Sequence, residues 1–252
     1  MTLAETRQLG IEFERRVQTM IPEKEFIDKL DTDTIYSFLN QYQDKYIHEI
    51  YRNLDNIPAG SKASAHVESI LQNMLTSTTL LASDATVSMG TVNDANDIAI
   101  VDTARSITYT LPDDFYLYVR SVSKVSSTFS FRGNGSSTSS PIRVIPNILS
   151  SQNDVWKLIE TPHDSLRILR YPAAILNTDK TLSVIYDRYT TVEGIKVLYY
   201  KQPQHFDLMT STACELPMDA FDDLVSGAVD LYVQYAAGAE ARKRQMQQEQ
   251  QQ

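Results

Sequence analysis

Apolar residues recur at spacings of three and four along the first third of the chain. Over residues 4–20, Leu9, Phe13, Val17 and Met20 form one stripe, which predicts an amphipathic helix. Pro22 stands where another helix can open, because the first turn has no use for the N–H it lacks. Phe26, Ile27 and Leu30 would face inward from that short segment. Asp31 and Thr32 are suited to cap a longer helix. Its stripe is Ile35, Phe38, Leu39, Tyr42, Tyr46, Ile47, Ile50 and Leu54. Pro58-Ala59-Gly60 breaks the pattern, and Ser61 can cap a third helix with the face Val67, Ile70, Leu71, Met74, Leu75 and Thr78.

From about residue 84 to 210 the period shortens towards two, and Thr, Ser, Val, Ile and Tyr rise between Gly and Pro breaks. Ser106–Thr110 and Phe115–Val125 are predicted strands flanking the turn Leu111-Pro-Asp-Asp114. Leu166 to Tyr171 alternates like a strand with one buried face. Leu182–Tyr189 and Ile195–Lys201 are the clearest pair, and Thr190–Gly194 between them is expected to be a hairpin turn in which Gly takes an unusual φ. The stretch from Phe131 to Pro141 is small, polar and Gly-rich, so it is expected to be a long flexible loop, with Phe129, Phe131 and Arg132 as anchors at its base.

Helical spacing returns at the end. Glu215-Leu-Pro217-Met218 opens a helix whose stripe is Phe221, Leu224, Val225, Ala228, Leu231, Tyr232, Tyr235, Ala236 and Ala239. From Pro217 to about Arg244 it would run about 40 Å at 1.5 Å per residue. The fold class is therefore α+β. N-terminal helices (1–83) and a long C-terminal helix (211–245) are expected to pack together around an inserted antiparallel β domain (84–210), with a polar tail at 246–252.

Charge narrows the function. The formal net charge is −9, from 32 acidic and 23 basic residues. Such a balance opposes a surface built to grip phosphate, which needs clustered Lys and Arg. The one basic run, Arg242-Lys243-Arg244, suits a helix C-terminus. The 14 tyrosines fall mostly at stripe or strand positions, where core or interface packing is the expectation. The start lacks the basic segment and apolar run of a secretory signal, and no apolar stretch reaches the roughly 20 residues of a bilayer span, so folding in the cytoplasm without a membrane partner is expected.

Catalytic patterns are weak. His48, His66, His163 and His205 share no ligand spacing, and His48-Glu49 lacks the second histidine of the zinc-protease helix. Asp31-Thr-Asp33 begins like a calcium loop, but Tyr36 stands where that loop needs Gly. Asp94, Asp97 and Asp102 read as a solvated loop. His163-Asp164-Ser165 has the residue types of a serine hydrolase, but adjacent residues cannot converge as a triad does. Gly133-Asn-Gly135 has no phosphate-cradle context. Cys214, the only cysteine, reads as a small buried residue. No catalytic residue, metal or cofactor is expected.

Two segments carry a likeness: Thr6-Arg-Gln-Leu-Gly-Ile-Glu-Phe-Glu-Arg-Arg16, and Glu215-Leu-Pro-Met-Asp-Ala-Phe-Asp-Asp-Leu-Val225 running into the Ala-rich part of the last helix. With the helix, β-region, helix layout, the chain resembles head-to-tail connector proteins of tailed bacteriophages, most closely the ring proteins of the crAss-like phages. The resemblance implies a virion structural subunit rather than an enzyme. It would form a dodecameric ring beneath the portal protein, contact other connector or tail proteins, and line a channel that genomic DNA only passes through. Subunit contacts would fall on Phe129, Phe131, Arg132, Arg242, Lys243 and Arg244. A tail-tube, baseplate or head-completion component is the nearest alternative, and a phage-encoded enzyme the more distant one.

Overall fold

The computed structural model describes residues 1–21, 30–54, 68–88, 92–93, 99–101, 104–127, 142–151, 154, 171–187, 190–207 and 211–249. The chain divides into two compact units. One joins Met1–Met74 to Pro203–Gln252, and the other is Leu75–Gln202. The architecture is α+β, with helices from both ends of the chain in one unit and sheets in the other. The boundary falls at Met74 rather than after residue 83, and the chain returns at Pro203 rather than at residue 211.

In the helical unit, α1 spans Leu3–Met20 and is opened by a capping box. The Thr2 hydroxyl accepts from the Glu5 amide, and the Glu5 carboxylate accepts from the Thr2 amide at 2.7 Å. Leu9, Phe13 and Val17 are fully buried as the spacing predicts, whereas Met20 is exposed. Helix α2, Thr32–Leu54, is capped by Asp31, whose carboxylate accepts from the Thr34 amide at 2.7 Å. Ile35, Leu39, Tyr46, Ile47 and Ile50 are its buried positions within the predicted stripe.

The third helix is not as read from the sequence. Residues 68–71 are helical and Gln72–Met74 form a 3₁₀ turn, but Leu75–Leu81 is strand β1. Leu75 and Thr78 therefore belong to a sheet. The predicted segment from Pro22, the Pro58 break and the Ser61 cap lie outside the described residues.

The final helix, α3, spans Phe221–Glu249 and is preceded by a 3₁₀ turn at Met218–Ala220. Its backbone stays helical through most of the stretch expected to be a polar tail. Leu224, Val225, Ala228, Tyr232 and Ala236 are buried, but Tyr235 is 65% exposed, so the stripe opens to solvent at that position.

The other strands are β2 (Thr86–Ser88), β3 (Val92–Asn93), β4 (Ala99–Val101), β5 (Ala104–Thr110), β6 (Phe115–Ser127), β7 (Arg143–Pro146), β8 (Ile148–Leu149), β9 (Ala173–Leu176), β10 (Thr181–Asp187) and β11 (Thr190–Lys201). One sheet has the order β1-β11-β6-β7, a second β2-β5-β10-β9-β8, and β3 pairs with β4. Every pair is antiparallel except β8 with β9. The two larger sheets share one core. Ile107, Tyr109, Leu182, Val184 and Tyr186 from one meet Tyr118, Val125, Ile195, Val197 and Tyr199 from the other.

The expected hairpin between β10 and β11 does not form, because the two strands belong to opposite sheets. Thr190–Gly194 is part of β11, with a register shift between Val192 and Gly194. Gly194 does not take a left-handed φ; a β-carbon there would lie 2.8 Å from the Leu80 carbonyl oxygen, so close strand approach requires the glycine. The turn after β5 is present, closed by the Phe115 amide donating to the Pro112 carbonyl at 3.0 Å. It carries the chain from one sheet to the other. The predicted strand at Leu166–Tyr171 lies almost wholly outside the described residues.

Candidate functional site

The two segments that carry the connector likeness fold against one another. Helix α1 brings Arg16 to α3, where its guanidinium donates to the Ser226 hydroxyl at 2.6 Å and to the Asp222 carboxylate at 2.9 Å. Glu12 accepts from the same side chain at 2.9 Å and holds it in place. At the other end of α1, the fully buried Thr6 donates to the Thr2 carbonyl and accepts from the Cys214 amide at 3.1 Å. The Met1 amino group donates to the carbonyls of Cys214 and Leu216. A hydroxyl that both donates and accepts lets α1 satisfy a buried loop amide, so the Glu215 segment is fixed before α3 begins.

Large rings fill what the small residues leave. Tyr36 lies against Gly10 and donates to the Thr6 carbonyl at 3.2 Å. The Tyr42 ring covers Gly227 on α3. Tyr232 stands edge-on to both Phe13 and Phe38. Asn40 clamps Phe206 from both sides, its Nδ2 donating to the carbonyl and its Oδ1 accepting from the amide, each at 3.0 Å. The result is a closely packed three-helix junction.

Its outer side is acidic. Asp219 in the preceding 3₁₀ turn and Asp222, Asp223 and Asp230 on the first half of α3 are exposed. Asp223 accepts from the Tyr46 hydroxyl at 3.0 Å; burial first, and then this bond, push that phenol's pKa well up. Tyr42 is likewise raised, mainly by burial, with Glu49, Asp223 and Asp230 adding to it.

Among the described residues, the groups considered for chemistry are Cys214 and His205. Cys214 is buried, its pKa pushed up to about 11 by that burial, and its thiol donates to Gln43 at 3.4 Å, so little thiolate forms near neutral pH. His205 contacts Asp44 at 3.1 Å on the exposed surface. Among the described residues, no three His, Cys, Asp or Glu side chains are placed to hold a metal ion. An open cleft of about 310 Å³ lies between Phe115, Leu176, Asn177 and Gln202 in the sheet unit, where Lys180 donates to the Asp113 carbonyl. No described helix is long and apolar enough to cross a membrane.

Of the residues singled out as subunit contacts, Arg242 is exposed on α3. Lys243 and Arg244 continue the same helix, but their side chains lie outside the description. Phe129, Phe131 and Arg132, the loop that follows them, and His163, Asp164 and Ser165 lie outside the described residues. Ile11 on α1 (66%) and Tyr235 on α3 are among the apolar side chains of this unit that lie exposed. Ile11 lies off the apolar stripe, in keeping with its exposure. Tyr235 was placed on the stripe, and only the packed helices show that it projects beyond it.

No protein-family model matches the chain, and no curated protein matches it.

Proposed function

We propose that this chain is a virion structural protein, a head-to-tail connector ring subunit that assembles beneath the portal and lines the channel through which the genome passes. One observation carries the reading: the Thr6–Arg16 and Glu215–Val225 segments, which resemble phage connector proteins, are in direct contact through Arg16 and Asp222. A packed junction with an exposed acidic ridge and exposed Ile11 and Tyr235 suits a subunit that works by packing against other copies and neighbouring proteins. Excess carboxylate also suits a channel wall that lets a phosphate backbone slide past.

Native mass spectrometry of the purified protein, alone and mixed with its portal, tests this. A closed ring, or a stoichiometric complex that appears with the portal, is the expected result. A monomer under both conditions would remove the connector assignment.

A further inference from the structure

The excess charge is confined to one unit. Residues 75–202 contain 12 acidic and 12 basic side chains, and the remainder contains 20 acidic and 11 basic, so the helical unit carries the whole imbalance of −9. Within the neutral sheet unit the positive charges are not spread evenly.

Strand register gathers three of them on the outer face of the β1-β11-β6-β7 sheet. Leu81, Gly194, Lys124 and Val144 lie in one row across the four strands. In the next row Lys196 pairs with Val122, and in the third Leu198 pairs with Arg120. Lys124, Lys196 and Arg120 are exposed. Lys124 meets Glu193 at 3.0 Å, while among the described residues no carboxylate lies within ion-pair distance of Arg120 or Lys196. Leu81 (53% exposed) and Val144 (67% exposed) flank the cations on the two edge strands. Like charges on neighbouring strands repel, so this face is less stable alone than opposite an acidic surface.

We infer that this face docks on the acidic ridge of α3 in a second copy of the chain, head to tail. The inference rests on the assembly reading and names the surfaces it would use. The ridge offers what the sheet lacks: Asp223 and Asp230 on one line of α3, with the exposed Gln234 one turn further along it. Lysines and arginine would meet carboxylates. A different patch on each partner makes the contact heterologous, the type that closes into rings. A nucleic acid is the weaker occupant, because three cations interleaved with aliphatic residues offer no stacking ring and few phosphate contacts.

The test uses two full-length variants, Thr79→Cys on exposed β1 and Gln234→Cys on exposed α3, four residues beyond Asp230. Native Cys214 is buried and does not compete. Each variant alone and an equimolar mixture are treated with a short bismaleimide at low salt and run on denaturing gels. The mixture should give covalent dimer and each variant alone should not. Adding Lys196→Glu to the Thr79→Cys chain should lower the yield roughly tenfold, the effect of about 1.4 kcal/mol in affinity.

Dimer from Thr79→Cys alone would overturn the inference in favour of sheet-to-sheet pairing. No dimer from the mixture, while native mass spectrometry still shows a ring, would place the contact elsewhere and leave the connector reading standing. No dimer and no ring would overturn both. Retention on duplex DNA that Lys196→Glu abolishes, again without cross-linking, would assign the face to nucleic acid.

Discussion

The ring of Tyr42 occupies the space that a side chain at position 227 would need: a β-carbon on Gly227 would sit 1.8 Å from Tyr42 Cζ. Gly238, eleven residues further along the same helix, has nothing within 4 Å of that position. One substitution should therefore act with opposite sign at the two sites. Gly227→Ala must displace a packed ring and should destabilise the helical unit by about 1–3 kcal/mol or more. Gly238→Ala meets open space and should stabilise it by up to about 1 kcal/mol through helix propensity. Thermal melts followed by far-ultraviolet circular dichroism would show the two midpoints moving apart, and midpoints moving together would refute the Tyr42 contact.

Leu224 is fully buried at the start of α3. Leu224→Asp places an unpaired charge in that core and should cost upwards of about 4 kcal/mol. Loss of soluble protein, or of all assembly, is expected on expression. A soluble variant that assembles normally would show that this face is not the core.

A polar cluster ties β6 to the chain after β7. Asn147 donates to Ser121 Oγ at 2.8 Å and accepts from Ser123 Oγ at 2.6 Å, while the Ser121 and Tyr118 hydroxyls are 2.8 Å apart. Ser121 and Ser123 are both buried. Asn147→Leu strips Ser123 of this partner and should cost about 1–3 kcal/mol, the penalty for an unsatisfied buried hydroxyl. Adding Ser123→Ala should recover part of that loss, because it removes the stranded group. Urea titrations of the single and double variants, read by tryptophan fluorescence, check both signs.

Alkaline pH should weaken the fold. Burial, and then donation to Asp114 at 2.9 Å, push the Tyr199 phenol from 10.0 up to about 12, and burial lifts Cys214 from 9.0 to about 11. Both folded values lie above the unfolded ones, so the native state keeps protons that the unfolded chain has released. Their stabilisation is complete below about pH 9, falls as pH rises, and is gone above about pH 12. Urea midpoints measured between pH 8 and 11 should drop steadily after pH 9; a flat profile would contradict the burial of these groups.

Periodicity made the helical unit legible because its signal is local. Leu9, Phe13 and Val17 lie on one face whatever that face meets. Strand Leu75–Leu81 was hidden for the converse reason. Ile70, Leu71, Met74, Leu75 and Thr78 continue a helical spacing, and the strand is fixed by pairing Leu75 with Tyr200 and Leu81 with Gly194, far along the chain. The β10–β11 hairpin failed because alternation reports which side of a strand is buried, and not which strand lies beside it. Leu182, Val184 and Tyr186 face the same core as Ile195, Val197 and Tyr199, but from the opposite sheet. The gathering of Arg120, Lys124 and Lys196 depends on that register and has no trace in the linear pattern. The linear pattern assigns Gly10 and Gly227 no role; the rings of Tyr36 and Tyr42 that lie against them supply one.

The pairing of β1 with β11 has one more consequence. The chain enters the sheet unit at Leu75 and leaves it just after Tyr200, and these two residues are cross-strand partners, so their α-carbons lie about 5 Å apart. A tight turn can span that gap. The sheet unit is thus a cassette held by adjacent ends: it can be lengthened, exchanged or excised without pulling the helices apart, which leaves a lineage free to remodel one half of the subunit while the other keeps its packing.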